Sequence, residues 1–122
     1  MDIFDEQDAL ERTAGDKALL AEVIRFTLDD IPGILKEIDM ALKAGEWMEA
    51  SRLAHKAKGS AGACGAHRLY LTSLDLELAG RDGDVSCAVH LPPIVEAFEA
   101  FRSHPGVCEI ASLDAGAEAS IG

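Results

Sequence analysis

The stretch Arg52-Leu53-Ala54-His55-Lys56-Ala57-Lys58-Gly59-Ser60-Ala61-Gly62-Ala63-Cys64-Gly65-Ala66 decides how the rest of the chain is read. At about 100° per residue, Met48, Ser51, Arg52, Lys58, Gly59 and Gly62 fall within about 60° of His55, while Ala50, Leu53, Ala57, Ala61 and Cys64 point the opposite way. This predicts an amphipathic helix carrying His55 on its solvent side. Gly59 and Gly62 follow His55 on that face, and each costs a helix interior about 1 kcal/mol relative to alanine. Glycines kept on a surface at that cost predict something that approaches the backbone closely. Lys58 adds a cation one turn beyond the imidazole.

Outward from this helix, read as Glu46 to Ala63 and closed by Gly65-Ala66, every segment of regular pattern is helical. Asp5 to Thr13 forms a short opening helix ended by Ala14-Gly15, and Asp16 is a plausible N-cap for the next. Leu19, Leu20, Val23, Ile24 and Phe26 start an apolar stripe that Ile34, Leu35, Ile38 and Leu42 continue. Asp29-Asp30-Ile31-Pro32 interrupts it, since proline suits the first helical turn but not the interior; one bent helix and two separate helices both fit. Leu69 to Leu78 populate a further helix ending near Ala79-Gly80, Arg81-Asp82-Gly83-Asp84 makes a polar turn, and a last helix runs from Val85 or Cys87 to Phe101, with a possible restart at Pro92-Pro93. No alternating pattern marks a strand. Short connections between such helices make antiparallel neighbours, so the expectation is an all-α, up-and-down bundle with a four-helix core plus the short N-terminal helix. Residues 1–103 are read as the bundle domain, and 104–122, where periodicity lapses, as a flexible C-terminal tail.

Pairing the His55 helix with its successor about Ala66 sets the residue eleven places before that turn opposite the residue eleven places after it, namely His55 opposite Glu77. A carboxylate there could accept from Nδ1–H and leave Nε2 free to act as a nucleophile; it could also be a surface carboxylate with nothing to hold. Ser60 lies about 140° from His55, which favours a hydroxyl bonded back to its own helix over a direct ligand.

His55-x-x-Lys58-Gly59-Ser60-Ala61, followed by Gly65-Ala66, resembles the signature of the histidine-containing phosphotransfer (HPt) domains of multistep two-component signalling. The likeness runs from about Phe4 to Phe101 and takes in Leu76-Glu77 and Arg81-Asp82-Gly83-Asp84. The family often has larger residues where this chain has Ala57 and Cys64. The resemblance implies that His55 accepts a phosphoryl group from a receiver-domain aspartate and passes it to a response-regulator aspartate. It assigns Lys58 to offset phosphate charge and Glu77 to orient the imidazole. Helix phase then makes Met48, Ser51, Arg52, Gly59 and Gly62 the docking face, with Ala44 and Leu71 nearby, and Ser60 and Gly65 are read as structural. The implied partners are receiver domains of a hybrid histidine kinase and of a response regulator. The chain would hold no cofactor or metal, Mg²⁺ being expected on the receiver. A helical adaptor that docks without carrying phosphate is the alternative from another class.

Composition narrows the remaining choices. A chain of 122 residues fits one domain and leaves no room for a separate catalytic one. Its apolar fraction of 48% with 27% charged residues is globular, and no run of about 18 apolar residues is present. Met1-Asp2-Ile3-Phe4-Asp5-Glu6 lacks the basic start of a signal peptide, so a cytoplasmic, monomeric protein is expected. The formal net charge of −11 makes nucleic acid and anionic membranes poor partners. Cys64, Cys87 and Cys108 are read as reduced thiols, Cys64 as a small core hydrophobe. The Cys64/His67 pair is too few ligands for zinc, no Glu-x-x-His pair suggests di-iron, and no nucleotide loop supports autonomous kinase activity. His67, His90 and His104 are read as ordinary surface histidines.

Overall fold

Ala50, Leu53, Ala57 and Ala61 are all buried, as the periodicity about His55 requires, and Ala54, on the flank of that stripe, is buried with them. The computed structural model describes residues 2–113 and places these side chains along α3, Trp47–Ala63. Before it come α1, Glu6–Arg12, and α2, Lys17–Lys43; after it come α4, His67–Arg81, a 3-10 turn over Cys87–His90, α5, Leu91–Ser103, and α6, Pro105–Ala111. No strand occurs among the described residues. The most extensive pairing is α3 with α4, and α2 with α3, α4 with α5, and α5 with α2 close the four-helix ring. The chain is therefore an all-α, up-and-down bundle.

Two helix starts follow from local chemistry. Asp5 Oδ1 accepts from the Asp8 amide and Asp16 Oδ1 from the Leu19 amide, each at 3.0 Å, satisfying donors that a first helical turn leaves unpaired. Pro32 does not break α2, which is one continuous helix. The proline is exposed, while Ile24, Ile31, Ile34 and Ile38 on either side of it bury the same stripe, so packing holds the helix through the lost hydrogen bond. Those isoleucines share a core with the alanines of α3, with Leu69 and Leu76 of α4, and with Ile94, Phe98 and Phe101 of α5. Ala57 and Cys64 sit fully buried in it.

The reading of a flexible tail from residue 104 needs correction. Pro105–Ala111 is helical and buries Val107 and Ile110 against α2 and α5. Two side chains hold it. His104 Nδ1 accepts from the Gly106 amide at 3.0 Å, capping the first turn. Arg25 of α2 donates from Nη1 to the carbonyls of Ala111, at 3.0 Å, and Leu113, at 2.7 Å, satisfying acceptors at the last turn. The rest of the expected tail, 114–122, lies outside the described residues.

At the α3–α4 corner, Gly65 has φ +70°, and a Cβ there would stand 2.4 Å from the Asp5 carbonyl oxygen. The Asp5 amide donates to the Gly65 carbonyl at 2.9 Å and the Arg68 amide to Asp2 O at 3.0 Å, so the N-terminal segment seats on this corner through the space that glycine leaves. His67, read as an ordinary surface histidine, belongs to the same seat: its Nε2 lies 3.0 Å from Asp8 Oδ2. Asp8 lies below the usual carboxylate range because of the hydrogen bonds from His67 and Arg12.

Candidate functional site

The His55 side chain is 66% exposed, midway along α3, with the buried alanine row behind it. Its Nδ1 stands 3.0 Å from Glu77 Oε2, across the α3–α4 pairing. The other oxygen of the same carboxylate, Oε1, lies 2.8 Å from Lys58 Nζ, an ionic contact outside good hydrogen-bond alignment. Glu77 therefore joins a residue of α3 to another one turn on, and its side chain is only 13% exposed. Burial pushes the Glu77 carboxyl up, but the contacts with Lys58 and His55 outweigh it and hold the group below its ordinary value. The carboxylate is ionised at neutral pH and faces Nδ1, which leaves Nε2 as the ring nitrogen that Glu77 does not hold.

Lys58 is less open than its helix phase suggests, with a side chain 17% exposed. Its ammonium lies 5.9 Å from the ring centroid of Tyr70. Tyr70 in turn rests on Gly62, where an added Cβ would meet the ring at 3.4 Å. The two glycines thus differ: Gly62 seats an aromatic side chain of α4, whereas a Cβ at Gly59 would have nothing within 4 Å. The low surface beside His55 is at Gly59.

Met48 and Arg52 are exposed on the N-terminal side of His55, Arg52 paired with Glu49, and Ala44 and Leu71 are exposed as well. Ser51, expected on the docking face, is buried. Its hydroxyl donates to the Glu77 carbonyl at 2.7 Å, because the last turn of α4 crosses α3 at this point. The crossing is possible through Gly80, where a Cβ would stand 2.7 Å from the Trp47 carbonyl oxygen and 3.1 Å from Ser51 Cβ. Ser60 is half-buried and its carbonyl accepts from the Cys64 thiol at 3.4 Å. Burial pushes that thiol up to about 11, as befits a core side chain.

Tyr70 was missing from the sequence reading and Gly80 stood there only as a helix end, yet the hairpin rule that pairs His55 with Glu77 brings both close to their neighbours on α3. Counting eight residues down from Tyr70 gives Gly62, their mean lying at Ala66, and the same count sets Gly80 opposite Arg52, next to Ser51; its approach to Trp47 is not given by the count.

The site thus consists of an open imidazole oriented from one nitrogen by an ionised carboxylate, a cation on the same carboxylate and a low helical surface one turn away. An exposed imidazole held from Nδ1 has the chemistry of a nucleophile at Nε2. No helix among the described residues is long and apolar enough to cross a membrane. No curated protein and no solved structure matches the chain. The family model of the Hpt domain matches residues 22–104, beginning within α2 where the sequence likeness was drawn from Phe4. Spanning well over half of the chain and containing His55, Lys58 and Glu77, that match shows that the protein belongs to the Hpt domain family of two-component phosphotransfer signalling.

Proposed function

We propose that the protein is a phosphocarrier that receives a phosphoryl group on His55 from the aspartate of one receiver domain and yields it to the aspartate of another. The observation that carries this reading is the exposed His55 ring with Nδ1 3.0 Å from the Glu77 carboxylate. With the ring proton on Nδ1, the Nε2 lone pair attacks the phosphorus of the aspartyl phosphate. A new P–N bond forms, the P–O bond to the aspartate breaks, and the carboxylate leaves with that electron pair. The imidazole gains a positive charge while Nδ1–H is retained, and Glu77 stabilises that charge as it forms. Attack by the second receiver's aspartate reverses each change.

Lys58, one turn from His55, offsets part of the phosphoryl charge. The open backbone at Gly59 lets receiver loops reach the in-line position that phosphoryl transfer requires. Met48 and Arg52 flank the ring as docking contacts. In this reading Mg²⁺ comes with the receiver, the exchange takes place in the cytoplasm, and the carrier acts as a monomer without kinase activity of its own.

Incubation with a receiver carrying radiolabelled phosphate tests the reading. Acid-labile, alkali-stable label is expected on the wild type and absent from His55→Gln. Failure to label the wild type with several competent donors would leave the adaptor alternative standing.

A further inference from the structure

Lys58 and Glu77 are both nearly covered, and beside the lysine stands an aromatic ring that no part of the transfer chemistry requires. Tyr70 of α4 lies with its ring centroid 5.9 Å from Lys58 Nζ. The same ring occupies the space above Gly62, at 3.4 and 3.6 Å from where a Cβ would stand. Lys58 Nζ is at the same time 2.8 Å from Glu77 Oε1, and Glu77 Oε2 is 3.0 Å from His55 Nδ1. A contiguous series of contacts therefore runs Gly62, Tyr70, Lys58, Glu77, His55, alternating between the two helices.

We infer that Tyr70 is a positioning residue for His55, acting through Lys58 and Glu77. A lysine on a surface helix ordinarily samples many rotamers in water, with its ammonium fully hydrated. Here the ring face attracts the ammonium and shields one side of it. The ammonium so held stays on Glu77 Oε1 and fixes the carboxylate, whose second oxygen then selects the Nδ1–H tautomer of the imidazole. Gly62 lies beneath the ring at a distance where even a Cβ would make only ordinary contact, so α3 gives the tyrosine an unobstructed seat. This inference rests on His55 being the phosphoryl acceptor, but it concerns the free protein.

The test compares Tyr70→Phe, Tyr70→Leu and Tyr70→Ala with the wild type, reading the His55 ring-nitrogen ¹⁵N shifts without any partner and the rate of phosphorylation by a labelled receiver. Tyr70→Phe keeps the ring and is expected to match the wild type. Tyr70→Leu keeps bulk without a ring face. Both it and Tyr70→Ala are expected to lower the ratio of Nδ1–H to Nε2–H tautomer, and the phosphorylation rate with it, by about two- to fivefold, the range for an exposed cation on a ring. Tyr70→Leu keeps the comparison decisive should Tyr70→Ala unfold. An unchanged tautomer ratio in Tyr70→Leu overturns the inference, including the case where only the receiver concentration for half-maximal transfer changes, which would make Tyr70 a docking contact. Because the ¹⁵N measurement needs no phosphate donor, absence of label from wild-type His55 would sink the carrier reading while the tautomer ratio still decided the role of Tyr70.

Discussion

Glu77 Oε2 lies 3.0 Å from Nδ1 of His55, so a carboxylate on α4 orients a ring that α3 presents to solvent. Replacing Glu77 with alanine removes the acceptor from Nδ1 and the partner from Lys58 together. The phosphorylation rate is expected to fall by about tenfold, the order of a charge-assisted hydrogen bond, without reaching zero, since Nε2 remains exposed. A rate equal to wild type in a receiver-transfer assay would remove Glu77 from the site.

The same carboxylate links the site to acid stability. Its pKa is lower in the folded chain than the ordinary glutamate value, with burial opposing and Lys58 and His55 overcoming it. A depressed value means that its contribution is complete above the ordinary glutamate pKa and is lost as pH falls through the folded value. Urea midpoints followed from neutral pH downward should therefore decline less steeply in Glu77→Gln than in the wild type across that window. Identical slopes would contradict the assignment.

Gly80 fixes how near α4 comes to α3. A Cβ there would stand 2.7 Å from the Trp47 carbonyl oxygen, a backbone atom that can move only with its helix. Gly80→Ala is expected to destabilise the bundle by about 1–3 kcal/mol, the range for overpacking. Denaturant unfolding that shows no loss would mean that the helices separate without cost.

Gly59 is the contrasting glycine, with nothing within 4 Å of its Cβ position. Gly59→Ala is expected to stabilise the chain by up to about 1 kcal/mol through helix propensity. Gly59→Glu should fold equally well yet obstruct transfer by bulk and charge. Normal transfer by the glutamate variant would refute the close approach of a partner at this point.

The three cysteines check the packing independently. Cys64 and Cys87 are buried, with burial raising both thiols, and Cys108 is exposed. A thiol reagent at pH 8 should modify one cysteine rapidly in the native protein and all three after unfolding. Rapid modification of Cys64 in the native protein would mean that the core beneath His55 is open.

The part of this fold legible in the sequence is the part written in local pattern. The α3 stripe, the Asp16 cap and the turn at Gly65 each follow from periodicity or from a residue's own backbone preference, and the hairpin count places Glu77 opposite His55. What was not legible depends on contacts distant in the chain. Pro32 could have ended a helix, and only the isoleucines packed on both sides of it keep α2 continuous. The seven residues of α6 are too few for a period to show, and its last turn is held by Arg25, 86 residues away from Ala111. Ser51 has the right phase for the exposed face but lies beneath the crossing that Gly80 permits. Lys58 has the right phase too, yet its charge is held by Glu77 and Tyr70.

The central claim is that Glu77 keeps the proton on Nδ1 and so commits His55 to chemistry at Nε2. The most direct measurement is a proton–nitrogen correlation spectrum of the His55 ring after phosphorylation by a receiver, which distinguishes the two phosphohistidine isomers. Phosphate bonded to Nε2, with Nδ1 still protonated, is the expected result. A phosphate on Nδ1, or on any residue other than His55, would contradict the account.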